Sequence, residues 1–234
     1  MKVALVGYGK MGKTIEGVLL ERGHEIVARF EREGIDAQEL KKAQVAIEFS
    51  RPESAFENIT TCLKNKIPVV SGTTGWLEYY PKVCSLCEEM ESAFLYASNF
   101  SLGVNLFFAL NEKLAELMKP YPNYRVSMEE IHHLQKLDAP SGTAISLAEQ
   151  ILSNHPEYST WSLADETQSI TIEAKREAEV PGTHLVHYKS EVDQISIKHQ
   201  AFNRQGFALG AVLAAEYLVD KRGVYTMKDV LNLS

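Results

Sequence analysis

Lys2-Val-Ala-Leu-Val6-Gly7-Tyr8-Gly9-Lys10-Met11-Gly12 decides the fold of this chain. A short apolar run reads as a buried strand and breaks into glycines spaced G-x-G-x-x-G. A helical pattern then runs through Leu20 and is closed by Gly23, and Glu25–Phe30 reads as a second strand ending in Glu31. The acidic residue falls about 20 positions past the last glycine, the frame in which such a triplet holds a dinucleotide. Gly7 makes the tight turn, Gly9 admits the pyrophosphate and Gly12 lets the helix pack on the strand, with Tyr8, Lys10 and Met11 carried between them. Glu31 suits the ribose hydroxyls of NADH, and Arg32 beside it suits the 2′-phosphate of NADPH. Read blandly, the glycines only turn the chain and Arg32 is a solvated loop charge.

Outward from this frame, strand and helix patterns alternate. Val45–Phe49 reads as a strand, 54–64 as a helix, Val69–Ser71 as a strand, 77–91 as a helix and 94–97 as a strand. Alternation at these lengths predicts a parallel, doubly wound sheet, which takes ligands at the carboxyl ends of its strands. Gly72, Thr73 and Thr74 lie at one such end, and Ala97, Ser98, Asn99 and Phe100 at another. Both are candidates for the nicotinamide end of a cofactor, although Gly72-Thr-Thr-Gly75 also suits a plain turn.

The second half reads as α+β. A helix over 104–118 is stopped by Pro120 and Pro122, and a strand over 124–131 delivers His132 and His133 to its end. Ile170, Ile172 and Ala174 alternate, as do Ile195 and Ile197, so both runs read as half-buried strands, with 184–189 as a third. Phe207, Ala211, Ala214, Ala215 and Leu218 form a helical stripe that returns to the first half. The expected domains are 1–101 with 205–234 for the dinucleotide and 102–204 for substrate and subunit association.

The chemistry concentrates in Glu130-Ile-His132-His133-Leu-Gln-Lys136-Leu-Asp138-Ala-Pro-Ser141-Gly142-Thr143. Ala144, Leu147, Ala148 and Ile151 begin a helix just after it, so Ser141 or Thr143 is a natural N-cap and Gly142 lets a ligand approach the backbone. Amides at a helix start attract carboxylate or phosphate. Two imidazoles and an ammonium beside them make a place for a small anion next to groups that move protons near neutral pH. The plain alternative is a surface His-His pair before an ordinary cap.

A net charge of −7 and a pI near 5.6 argue against nucleic acid or an anionic membrane as partner. No apolar run approaches the roughly 20 residues of a membrane span, and the apolar start is too short for a signal peptide, so a cytoplasmic location is expected. Cys62, Cys84 and Cys87 make no disulfide framework. Cys84-Ser-Leu-Cys87 lacks a second ligand pair, so reduced thiols and no metal are expected.

Glu130-x-His-His-x-x-Lys-x-Asp-Ala-Pro-Ser-Gly-Thr-Ala resembles the signature of the dihydrodipicolinate reductase family, enzymes of lysine and diaminopimelate synthesis. The Glu31-Arg32 pair, Gly72-Thr-Thr-Gly75, Asn99-Phe-Ser-x-Gly-Val-Asn105 and Arg204-x-x-Phe207-Ala-x-Gly-Ala-Val match the family as well. The resemblance implies NADH- or NADPH-dependent reduction of a cyclic imine dicarboxylate, 4-hydroxy-tetrahydrodipicolinate, to tetrahydrodipicolinate with loss of water. It implies that His132 donates or accepts the proton and that Lys136 is a second proton donor that attracts a carboxylate. His133, Ser141, Gly142 and Thr143 would hold the carboxylates, with Arg204 as a further contact, in a homotetramer. The chain is shorter than the family pattern between Glu31 and Val45 and after His184, and carries Ser98 and Ala178 where alanine or proline, and glycine, are customary. The second cut touches the segment through which family subunits associate. Two other readings stay open: a two-domain amino-acid or sugar dehydrogenase, and a non-catalytic NAD(H)-sensing module.

Overall fold

The computed structural model describes residues 1–233. In chain order it places Lys2–Val6 (β1), Lys10–Glu21 (α1), Glu25–Phe30 (β2), Ala37–Leu40 (α2), Val45–Glu48 (β3), Pro52–Lys64 (α3), Val69–Ser71 (β4), Tyr80–Glu89 (α4) and Ala93–Tyr96 (β5). Leu102–Met118 (α5), Arg125–His132 (β6), Gly142–Leu152 (α6), Thr160–Ser162 (β7), Ser169–Arg176 (β8), Gly182–Lys189 (β9) and Gln194–Ala201 (β10) follow. Gln205–Leu218 (α7), Gly223–Tyr225 (β11) and Met227–Leu231 (α8) complete the series. The chain divides into two units, Met1–Asn105 joined by the chain from Arg204 onward, and Leu106–Asn203. The first boundary falls inside α5, a few residues beyond the domain boundary expected from sequence at 101/102. Arg204 falls in the first unit, where the sequence reading had put it in the second.

The first unit holds a six-stranded sheet in the order β11-β5-β4-β3-β1-β2, with every pairing parallel. This is the doubly wound sheet that the glycine frame predicts. Both faces are covered, which is why its strands are nearly continuous apolar runs. Val3, Leu5, Val45, Ile47, Val70 and Leu95 pack with α1 and α7 on one face; Ala4, Val6, Ala46, Val69 and Phe94 pack with α3, α4 and Trp76 on the other. Each such Val or Leu taken fully from water contributes about 1.5–3 kcal/mol. The small residues Ala208, Ala211, Ala214 and Ala215 let α7 approach closely, so the returning stripe docks within this unit as expected. The helix expected over 77–91 is divided: Leu77–Tyr79 is a 3-10 turn and α4 starts afresh at Tyr80, with Pro81 in its first turn.

The second unit is a mixed five-stranded sheet, β10-β9-β6-β8-β7. β6 pairs antiparallel with β9 and parallel with β8. Helices α5 and α6 lie on one face through Phe107, Ala115, Met118, Leu147, Ala148 and Ile151, against Val126, Met128, Ile170, Ile172 and Val186. The central strand β6 alternates, with Val126, Met128, Glu130 and His132 turned to the buried face. That alternation carries a carboxylate and an imidazole to the inner side of the sheet.

Candidate active site

In the first unit, the glycine turn joins β1 to α1 beside the end of β3. Gly7 has φ +93°, and a Cβ there would stand 2.1 Å from the Phe49 carbonyl oxygen. A Cβ on Gly12 would stand 2.4 Å from the Gly7 carbonyl oxygen. Gly9 differs: nothing lies within 4 Å of where its Cβ would be. It is the N-cap of α1 and no side chain caps it, so the amides of the first turn face the approach that Gly9 keeps open. That is the arrangement a pyrophosphate requires, and it fits a nicotinamide dinucleotide.

Beside the turn, Met11, Phe49, Ser50, Pro52, Gly72, Thr73 and Thr74 line a cleft at the carboxyl ends of β3 and β4. A parallel sheet binds ligands where its strand order reverses, and here β1 and β3 are the neighbours at that point. Glu48, fully buried at the end of β3, organises the cleft wall. Its carboxylate accepts from Ser71 Oγ at 2.6 Å, Thr73 Oγ1 at 2.8 Å, the Ser50 amide at 3.0 Å and the Ser50 hydroxyl. A Cβ on Gly72 would stand 2.2 Å from the Phe49 ring, so only glycine fits there.

The other cofactor candidates divide by burial. Tyr8 donates its hydroxyl to Glu16, which also binds Arg29, whose guanidinium lies 5.7 Å from the Tyr8 ring centre. Lys10, Glu31 and Arg32 are exposed, the last two just past the end of β2. Ala97 donates its amide to the Ser71 carbonyl, and the Asn99 side chain accepts from the Ser101 amide. Ser98 is exposed. Phe100 is only 2% exposed and packs on Phe49 at 5.5 Å between ring centres, so its side chain belongs to the core and only its backbone is left for a cofactor.

In the second unit, Glu130 is the hub. It is fully buried, and its Oε2 accepts from the Ser141 amide at 3.0 Å. Oε1 takes both terminal nitrogens of Arg176 at 3.2 Å. His132 Nδ1 lies 3.3 Å from Oε2 but out of line for a hydrogen bond, a contact that is an ion pair only when the ring is protonated. His184 Nε2 stands 3.9 Å from the same oxygen and 3.1 Å from Ser141 Oγ. Burial pushes the Glu130 carboxyl up, but His132 and Ser141 outweigh it and hold it down at about 2. Burial, and then the neighbouring His132, push the His184 imidazole down to about 4, so it is neutral at pH 7.

Ser141 is the N-cap of α6, its hydroxyl accepting from the Ala144 amide at 3.2 Å. Gly142 is exposed with nothing within 4 Å of a Cβ position, and Thr143 beside it is half-buried. Lys136 is held on its own loop by both oxygens of Asp138, at 2.8 and 2.7 Å. Arg176 ties that loop down, donating to the Asp138 carbonyl at 2.6 Å and the Lys136 carbonyl at 3.4 Å. His132, Lys136, Ser141, Gly142 and Thr143 therefore belong to one connected stretch of this unit. His133 follows at the end of β6, half-buried, with its Nδ1 unpartnered. Arg204 is exposed in the other unit, just before α7. Arg176, His184, Glu130 and Glu48 received no role in the sequence reading; the one available signal was a charged residue at an inward position of an alternating strand.

Residues 1–100 match the family profile described as dihydrodipicolinate reductase, N-terminus, and residues 103–231 match dihydrodipicolinate reductase, C-terminus. The chain belongs to the dihydrodipicolinate reductase family. A 4-hydroxy-tetrahydrodipicolinate reductase of Christiangramia forsetii is 58% identical over 99% of this chain and 98% of its own length. Among solved structures, a dipicolinate-bound dihydrodipicolinate reductase from Paenisporosarcina sp. TG-14 superposes with a TM-score of 0.78 at 24% identity, covering 97% of each chain. A probable dehydrogenase from Thermotoga maritima shares the fold at a TM-score of 0.59 and 8% identity, covering 100% of this chain and 93% of its own. Membership makes the chain a nicotinamide-dependent oxidoreductase, in keeping with the glycine turn and the cleft beside it.

Glu130, His132 and His184 each bring a ligand atom within 4.8 Å of the others. A divalent cation among them would meet the Arg176 guanidinium already on the carboxylate, so the charge there is balanced without metal. The three thiols are unpaired; burial pushes Cys87 up to about 11 and raises Cys84 as well, so they behave as structural groups rather than nucleophiles. No helix among the described residues is long and apolar enough to cross a membrane.

Proposed function

We infer that this chain reduces 4-hydroxy-tetrahydrodipicolinate to tetrahydrodipicolinate with NADH or NADPH, a step of lysine and diaminopimelate biosynthesis. The ring hydroxyl leaves as water to open the conjugated system that takes the hydride and proton. The observation that carries this reading is the stretch 132–143, where a capped helix start with an open glycine adjoins a buried imidazole and a held ammonium. Its substrate is a ring bearing two carboxylates. The amides at the start of α6, with Ser141, Gly142 and Thr143, hold one of them. His133 and Lys136 hold the other, Lys136 exchanging Asp138 for the substrate, and Arg204 adds a contact. When bound, the reduced nicotinamide supplies a hydride to the electron-poor conjugated ring. His132 supplies the proton that completes the addition, with Lys136 as second donor.

The glycine turn with Tyr8, Lys10 and Met11, and the segments 72–74 and 97–100, form the cofactor site in this reading. Glu31 takes the ribose and Arg32 the 2′-phosphate. The same reading gives a cytoplasmic enzyme, in keeping with three unpaired cysteines, and a homotetramer. The outer side of β10 and the exposed Val192 and Phe202 flanking it are the surface for association.

Oxidation of NADH and of NADPH with freshly generated 4-hydroxy-tetrahydrodipicolinate, run beside amino-acid and sugar substrates, tests the reading. Turnover is expected with the lysine-pathway imine alone. Turnover of a sugar or amino acid instead would move the chain to the dehydrogenase alternative, and tight cofactor binding with no turnover to the sensing one. His132→Gln should lower kcat about 100-fold or more, the usual contribution of a positioned general acid. Its cofactor affinity should hold, because the glycine turn is untouched. Unchanged turnover in this variant would remove the assigned role.

A further inference from the structure

We propose that Glu130 is the positioning residue of this site: its carboxylate sets the tautomer of His132 and holds the loop carrying Lys136 and the turn at Ser141 in register with it. The proposal rests on the reductase reading above and adds a residue to it.

A carboxylate on the inward face of a central strand is costly unless its oxygens are satisfied. Glu130 meets that requirement with groups that belong to the site. Its Oε2 receives the Ser141 amide, which fixes the chain just before the open start of α6. Its Oε1 receives Arg176, and the same guanidinium reaches the carbonyls of Lys136 and Asp138. The turn at Ser141 and the loop carrying Lys136 are thus joined to Glu130, the first directly and the second through one arginine.

His132 is the third dependent. The Glu130 oxygen is out of line for a hydrogen bond to Nδ1, but its negative charge 3.3 Å away favours the proton on that nitrogen over Nε2. Neutral His132 then carries its hydrogen on Nδ1 and leaves Nε2 as the atom that gains and gives up the catalytic proton. Nε2 lies over Gly182, where a Cβ would stand 3.2 Å from it. In the reaction the imidazolium loses the Nε2 proton to the reduced ring, and the ring left behind is the Nδ1–H form already matched to Glu130. The ionisable and charged groups placed next to His132 are Glu130 on β6, its register partner Arg176 on β8 and His184 on β9, whose ring centre lies 5.1 Å away. Arg176 engages the other oxygen, Oε1, so Oε2 is the carboxylate oxygen turned to the ring.

Two measurements test this. The first is 15N NMR of the wild-type enzyme with labelled histidine, His132 being assigned by its loss in His132→Gln. The neutral ring is expected as the Nδ1–H tautomer; an Nε2–H tautomer would overturn the proposal without any variant having to fold. The second compares Glu130→Gln and Glu130→Asp for kcat, KM, the pH profile of kcat, NADH affinity and affinity for pyridine-2,6-dicarboxylate. Glu130→Gln should bind NADH within about twofold of wild type, since the glycine turn is untouched, while losing tenfold or more in kcat. Removing the carboxylate should move the alkaline limb of the kcat profile to lower pH. Glu130→Asp, keeping the charge, should restore that limb toward its wild-type position. Wild-type kcat and an unmoved limb in Glu130→Gln would overturn the proposal. If wild-type enzyme failed to reduce the imine, the function would fall, while the tautomer and the dicarboxylate affinity would still report on Glu130 itself.

Discussion

Arg32 and Gly72 show what a single residue reveals before and after folding. Gly72 reads in sequence as a turn residue, yet its reason is the Phe49 ring, whose nearest carbon would stand 2.2 Å from any Cβ. The cause is a side chain elsewhere in the chain, so no local pattern contains it. Phe100 is the opposite case, matching a family segment yet spending its ring on the core. Arg32 is as the sequence presents it, an exposed cation next to Glu31 at the end of β2. Arg32→Ala should therefore raise the Kd for NADPH about tenfold, the usual order for a hydrogen bond to a charged group, and change that for NADH little. Titration of both cofactors by fluorescence checks this, and an equal loss for the two would remove the 2′-phosphate argument.

At the scale of elements, periodic segments and apolar runs bounded by proline or glycine were legible, even the three residues Val69–Ser71, whereas short strands without such bounds were not. β1, β2, α1 and α7 follow from apolar spacing and glycine punctuation. β7 and β11 are three residues each, too short for alternation to show, and are strands only because β8 and β5 pair with them. α2 is a single capped turn, its start fixed by the Asp36 side chain accepting from the Gln38 amide at 2.7 Å. The cluster across β6, β8 and β9 was equally hidden, because strand register, not spacing along the chain, brings Arg176 and His184 beside Glu130.

That cluster has a consequence for stability. His184 is pushed from 6.5 to about 4 in the folded chain, so between those values the unfolded chain binds the extra proton. The His184 contribution is then fully present above pH 6.5 and is lost as pH falls toward 4, on the order of a few kcal/mol. Glu130, held at about 2 against an ordinary 4.5, adds a second loss as pH falls from 4.5 toward 2. Thermal unfolding followed from pH 7 to pH 4 should show Tm falling in the wild type and a shallower fall in His184→Gln. Equal slopes would mean that His184 is not kept neutral by its burial.

For the molecule as a whole, the two units carry different features. The first carries the glycine turn, the cleft at 72–74 and the returning helix α7; the second carries the buried cluster and the helix start at Ser141. The order of patterns along the chain indicated two parts, and the chain divides into two compact units. The length of β10 and the exposure of its outer side follow only once strands are paired.

The central claim is that a dianionic ring is gripped by the 132–143 stretch. The most direct measurement is a crystal structure of the enzyme with reduced nicotinamide and pyridine-2,6-dicarboxylate bound. One carboxylate is expected on the amides of Gly142 and Thr143, the other within reach of Lys136 and His133, and His132 Nε2 turned to the ring. A dicarboxylate lodged away from residues 132–143 would contradict the account.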